Sequence, residues 1–227
     1  FPMILESLLH RAVFSAFPEM KSRPLLYMLY GGFAAGIFEE GGRVCGFWAL
    51  RRFPGQPDGL SRAVGYGIGH GGLECIGVGI SAASSLSLAL AANSLGREGL
   101  LSRVPRNAES QVQAELAALA GAAPPAFLLS VLERAGALAF QIFLSVLIWM
   151  AVSGIVGKIW IPAAVALHAA GDFGPALYQS GALPLWGAET AALSVAVLTG
   201  FLVYRLFKKR GIRVRLSGVR GRPGTGT

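Results

Sequence analysis

Residues 24–50 read PLLYMLYGGFAAGIFEEGGRVCGFWAL, 27 residues in which two glutamates and one arginine are the only charges. A surface helix of that length would show an apolar stripe opposite a charged face. Here the large apolar side chains run all the way round, and the stretch exceeds the roughly 20 residues that a helix needs to cross a bilayer. The rest of the chain agrees. Of 227 residues, 53% are hydrophobic and 14% charged, with a mean hydropathy of +0.56, whereas a soluble domain carries about a quarter charged residues. The sequence therefore predicts an all-α, polytopic membrane bundle, helical because isolated strands cannot satisfy their backbone in lipid.

Working outward, six apolar segments are expected to form spans: 1–17, 24–50, 63–94, 125–152, 159–178 and 187–207. Together they make one membrane domain over 1–207. Several exceed a bilayer's thickness and are expected to tilt, to reach into water, or to break at glycines such as Gly67, Gly69, Gly71 and Gly72. Residues 95–124 are polar and read as an extramembrane loop that turns into a short amphipathic helix, with Val112, Leu116 and Leu119 at helical spacing. The chain opens on Phe1 and is apolar at once, so it reads as lacking its N-terminus. Residues 1–17 have neither the basic n-region nor the cleavage site of a signal peptide.

The net charge of +8 would suggest nucleic acid in a soluble protein. Here eight of the twenty basic residues fall between Arg205 and Arg222, which makes 208–227 a basic disordered tail lying on anionic lipid, with no role for nucleic acid. Placing 51–62, Lys158 and the tail on one side gathers twelve basic residues there against five on the other. That side is cytoplasmic by the positive-inside rule, and the expected location is the plasma membrane of a bacterium. Cys45 and Cys75 lie beside glycines within apolar spans, as small packing residues do, so neither a disulfide nor a thiolate metal site is expected.

Ionisable groups inside a span are costly, so each requires a partner or a function. They fall into sets. Glu39 and Glu40 lie four and three residues before Arg43. Tyr66, His70 and Glu74 follow one another at intervals of four and share a face. His168 and Asp172 repeat that interval, and a fourth span holds Glu133, Arg134 and Gln141. At 1.5 Å per residue, Glu40, His70, His168 and Gln141 lie roughly 16, 11, 14 and 18 Å from the cytoplasmic ends of their spans, which is one layer. By the same count Glu133 and Arg134 are about 28 Å in and read as packing or interface residues. The plainer alternatives are an intrahelical ion pair for Glu40 with Arg43, and a helix-to-helix hydrogen bond for either histidine. His10 shows no comparable partner and takes the plainer reading. Convergence of three acid-and-base sets at one depth favours a functional site.

Glutamate and histidine facing one water make a hydrolytic centre. The carboxylate accepts the water's proton and the imidazole holds the water or passes a proton to the leaving amine. A second histidine supplies a donor to the tetrahedral oxyanion. His70, Glu74, His168 and Asp172 are also acceptable zinc ligands, leaving Glu39 as base. With no HExxH in the chain, the expectation is an enzyme without a resident metal, zinc being the alternative.

The motifs FEEGGR, GYGIGHGGLE, ER, LSVLIW and HAAGD, in this order over 24–175, resemble those of the CAAX-protease and bacteriocin-processing superfamily of intramembrane proteases, most closely its YhfC-type branch. The resemblance implies a glutamic-type intramembrane protease, alternatively a zinc metalloprotease, that cuts a membrane-anchored protein or peptide. It implies Glu39 as general base, Glu40 and Arg43 as orienting groups, His70 as water ligand, and His168 with Asp172 on the oxyanion side. Tyr66, Glu74 and Gln141 would support them. The sequence departs from the pattern at Gln141, where the branch would carry histidine, and at Asp172, often asparagine. Two other readings stand beside this one: a proton-coupled transporter or channel, and an inactive scaffold of the same family, which the Gln141 departure keeps open.

Overall fold

The computed structural model describes residues 2–53, 59–121 and 124–211. Among them the chain is helical throughout: α1 Pro2–Ala16, a short 3₁₀ turn Pro18–Ser22, α2 Pro24–Leu50, α3 Leu60–Leu101, α4 Arg106–Gly121, α5 Pro124–Val152, α6 Trp160–Gln179 and α7 Leu185–Lys209. The six apolar segments expected from sequence correspond to α1, α2, α3, α5, α6 and α7. Three of these, α3, α5 from Leu128 and α7, are long and apolar enough to cross a membrane by length and composition. Gln56 and most of the basic tail lie outside the described residues.

Prolines begin the helices where a missing N–H costs nothing. Pro24 opens α2, Pro105 precedes α4, and Pro184 caps α7 in an extended conformation. Gly154 and Gly181 follow α5 and α6 with φ of +74° and +75°, left-handed turns that stop a helix cheaply.

Helix α5 is the hub. It packs on α2, α3, α6 and α7, and Leu144, Leu147, Ile148 and Met150 along it are fully buried, with Phe47 of α2 and Ala63 of α3 against them. Glycines let two helix pairs approach more closely than side chains allow. On α2, a Cβ at Gly32 would lie 2.8 Å from the Ala169 carbonyl and one at Gly36 2.7 Å from that of Val165, both on α6. On α3, a Cβ at Gly67 would lie 2.6 Å from Ile142 Cα and one at Gly71 3.0 Å from Gln141 Cβ, both on α5.

This corrects the expected breaks at Gly67, Gly69, Gly71 and Gly72. Helix α3 runs unbroken through all four, because two of them are packing positions, while at Gly69 and Gly72 an added Cβ would meet nothing within 4 Å. The break lies at Gly96, with φ +73° and ψ 157°. The expected loop start at 95–101 is accordingly the kinked end of α3. Helix α4 then packs back along α3, with Ser85 donating to Glu115 at 2.5 Å.

Candidate active site

The two glycine contacts fix the site. One turn beyond Gly36, α2 presents Glu39 and Glu40 to α6. Beside Gly67 and Gly71, α3 presents His70 to Glu39 of α2 and Glu74 to Gln141 of α5. All four helices meet around one cavity of ≈ 270 Å³ lined by Glu39, Glu74, Gln141, His168 and Asp172 among others.

On the α2–α6 side the contacts are fully buried. Glu40 and Arg43 have no exposed surface and His168 has 3%. Arg43 donates to Glu40 Oε1 at 2.7 Å, and His168 Nδ1–H donates to the same oxygen at 2.7 Å. The Glu40–Arg43 pair is thus intrahelical, as the plainer alternative held, and it also grips a catalytic candidate from another helix. Glu40 Oε2 and Arg43 Nε are buried without a hydrogen-bond partner among the described residues. Incomplete pairing makes this contact a poor source of stability and a better device for position. With Nδ1 occupied, His168 points Nε2 at Glu39 Oε2 and Asp172 Oδ2, each 3.5 Å away.

The α3–α5 side is open to the cavity. His70 Nε2 lies 3.0 Å from Glu39 Oε2 and 3.0 Å from Glu74 Oε1. Tyr66 stacks on the His70 ring, centroids 6.2 Å apart and planes 16° from parallel, and also packs on Phe47. Gln141 joins the two sides. Its Oε1 accepts a hydrogen bond from Arg43, and its Nε2 lies 3.1 Å from Glu39 Oε2 and 2.9 Å from Glu74 Oε1. A glutamine can both accept from a guanidinium and donate to carboxylates, which explains its place here without a histidine's chemistry.

Every site residue expected from sequence is therefore within one connected cluster, but the metal-ligand set is regrouped. The donor atoms lying within 4.8 Å of one another among the described residues are those of Glu39, His70 and Glu74. The expected set His70, Glu74, His168 and Asp172 divides instead into two pairs, one on each side of Glu39. One imidazole nitrogen with two carboxylates is an acceptable donor set for zinc, so these residues fit a divalent cation.

Two features correct the sequence reading. Glu133 and Arg134, read as packing or interface residues, pair with each other and line the same cavity. The signal was the seven-residue interval from Arg134 to Gln141, two turns along one face. His10, read as lacking a comparable acidic partner, lies 3.4 Å from Glu6, while its 2.8 Å hydrogen bond with Tyr30 of α2 is the helix-to-helix bond of the plainer reading. Glu6 stands four residues before it, the same interval that marked His70 and His168.

The chain matches the family described as YhfC intramembrane metalloprotease over residues 1–193. It belongs to that family. The matched range holds every residue of the cluster, which makes the chain an integral membrane protein of an intramembrane protease family. A relative from Bacillus subtilis (strain 168), described as an uncharacterized membrane protein YhfC, is 32% identical over 198 residues, covering 86% of this chain and 72% of the relative. No solved structure matches.

Proposed function

We propose that this YhfC-family protein is an endopeptidase that hydrolyses a peptide bond of a membrane-anchored protein or peptide at the cavity bounded by α2, α3, α5 and α6. The observation that carries the reading is the position of Glu39 Oε2, 3.0 Å from His70 Nε2 and 3.5 Å from His168 Nε2. One carboxylate oxygen between two imidazole nitrogens, at the wall of a cavity, can accept the proton of a water that attacks a carbonyl. His70 holds that water. His168, its Nδ1 fixed on Glu40, offers Nε2 as the donor to the oxyanion and then to the leaving amine. Asp172 orients His168 from the cavity side.

Glu39, His70 and Glu74 are the residues that would hold a divalent cation. When bound there, it would supply Lewis-acid polarisation of the carbonyl and a more acidic water. The compact trio favours this alternative over the metal-free expectation from sequence, since three donors already converge. We also place the basic tail and residues 51–62 in the cytoplasm, with six crossings; in that orientation the cavity extends from the Glu39 layer toward Glu133, Arg134 and Pro175, away from the cytoplasm, and substrate and water enter from there.

The test is cleavage of a library of transmembrane peptides by purified protein in detergent. Glu39→Gln is expected to lower the rate by about 10³-fold, within the range for loss of a general base, while expression stays at the wild-type level. Retained cleavage in Glu39→Gln overturns the proposal. Metal analysis of the same preparations separates the two modes of water activation. About one divalent cation per chain in wild type, lost in His70→Ala and Glu39→Gln, is the expected result; a wild type active without any would return the role to Glu39 alone. For orientation, with Cys45 and Cys75 replaced by alanine, the thiol introduced by Asn107→Cys should react with an impermeant reagent in intact cells, and that from Gln56→Cys should not.

A further inference from the structure

A second cavity, ≈ 290 Å³, lies between α1, α2 and α6, lined by His10, Phe14, Tyr27, Gly31, Asp172 and Gln179 among others. It shares Asp172 and Pro175 of α6 with the catalytic cavity. These two residues are one helical turn apart, so the two spaces adjoin along the rim that also carries His168. We infer that the second cavity is the other half of the substrate cleft: it receives the segment of the membrane-anchored peptide on one side of the scissile bond while the catalytic cavity receives the other.

Three observations converge on a peptide as occupant. Hydrolysis at Glu39 needs a chain that extends in both directions from the scissile carbonyl, and the rim at Asp172 is where the two spaces join. The walls suit one apolar side chain with a backbone beside it. Phe14 and Tyr27 stack with centroids 6.0 Å apart, and Tyr27 donates to Gln179 at 2.9 Å, leaving that amide's nitrogen for a peptide carbonyl. The floor is open for a reason other than helix packing. Gly32 must be small because Phe173 and the Ala169 carbonyl crowd it, but a Cβ on the neighbouring Gly31 would meet nothing within 4 Å. Helix α1 touches α2 and the turn that follows it and makes no packing contact with α6 among the described residues. That leaves the α1–α6 side of the cavity as the way in from the bilayer. His10 lines the cavity from α1, with Glu6 3.4 Å from its ring.

The inference rests on the endopeptidase reading, and the experiment separates their failures. Gly31→Leu starts a side chain into the second cavity from a Cβ that meets nothing within 4 Å, and Gly79→Leu, at an exposed position of α3 where a Cβ also meets nothing within 4 Å, is the control. With the transmembrane-peptide library, Gly31→Leu should lower kcat/KM by about tenfold or more, the size of a pocket effect. It should also narrow preference to small residues at positions on one side of the scissile bond only, while Gly79→Leu matches wild type. In a second arm, the thiol from Gly31→Cys, in a protein with Cys45→Ala, Cys75→Ala and Glu39→Gln, should be protected from maleimide by the best-cleaved peptide. If wild type cleaves and Gly31→Leu keeps the same rate and preference, or the thiol is not protected, the second subsite is wrong and the endopeptidase stands. If wild type cleaves no peptide, both fall.

Discussion

The two imidazoles of the site live in different surroundings. His168 is 3% exposed, held at Nδ1 by a carboxylate that an arginine also grips, on helices whose backbones touch through Gly32 and Gly36. His70 has a side chain 19% exposed, holds two carboxylates at Nε2, each at 3.0 Å where those facing His168 Nε2 lie at 3.5 Å, and is steadied by a ring stacked on its own. The difference separates two jobs. A side chain held at one nitrogen by a fully buried glutamate–arginine pair can be placed but not easily moved, and its second nitrogen becomes a fixed donor. A partly exposed side chain between two carboxylates that line the cavity can exchange partners with water, substrate or cation. Glu39 belongs to both halves, which is why the reading of the reaction turns on it.

The largest effect expected from this contrast is on the buried side. Arg43→Ala leaves Glu40 without its partner in the core and Gln141 Oε1 without its donor. Removing one member of a buried pair costs about 3–5 kcal/mol, so thermal unfolding in detergent should drop sharply, with cleavage lost as well. The comparison breaks if Arg43→Ala unfolds like wild type. The opposite pattern is expected for Glu74→Gln. That side chain is 28% exposed and the substitution is isosteric, so stability should change by no more than about 0.5 kcal/mol. Activity should fall on the order of 10²-fold, as when a ligand or its support is altered, and bound metal should fall with it. A Glu74→Gln protein that is unstable but fully active would reverse the assignment of the two halves.

Gln141 tests the bridge between them. Gln141→Leu keeps the volume but leaves the Arg43 donor unmet, a loss of about 1–3 kcal/mol, and also removes the donor to Glu39 and Glu74. Stability should decline less than in Arg43→Ala, and activity less than in either variant above, with cleavage down about tenfold. A change in one property alone would mean that Gln141 serves one side only.

How much of this was open to reading from the sequence follows from what depth along a helix can and cannot report. The membrane class, the six apolar segments and the meeting of Glu40, His70, His168 and Gln141 came from composition and rise per residue, and the structure joins those four. Height, however, says nothing of direction around the axis. Glu133 and Arg134 were set aside on height alone, although their two-turn interval to Gln141 put Arg134 on the same face. For His10 the reading lacks only Glu6, four residues before it on the same helix, since the bond to Tyr30 on α2 is of the plain helix-to-helix kind. Glycine lowers helix propensity, which makes the glycines of α3 look like weak points in the sequence. Whether a glycine breaks a helix or seats it against another depends on what lies opposite, and Ile142 and Gln141 lie opposite Gly67 and Gly71. The ligand regrouping around Glu39 had the same origin, since spacing of four pairs residues within a helix and cannot say which pairs of different helices converge.

The smallest effect concerns what steadies His70 on the open side. Tyr66 stacks on His70 and packs on Phe47, centroids 4.7 Å apart in the second contact, and its hydroxyl lies where a Cβ on Gly46 would come within 2.6 Å. If the ring is what orients the imidazole, Tyr66→Phe should keep kcat/KM within about twofold of wild type, the limit for a substitution that preserves the contacts. Tyr66→Leu gives up two aromatic contacts, each worth about 0.5–1.5 kcal/mol. If half of that loss falls on the placement of His70, the rate drops about tenfold. Because the ring acts through His70, Tyr66→Leu should also weaken metal retention during dialysis, whereas a purely structural role would lower the unfolding temperature and leave retention unchanged. Equal rates for Tyr66→Phe and Tyr66→Leu, with retention unaltered, would show that the two carboxylates alone hold His70, and the contrast with His168 would then rest on burial and not on how each ring is held.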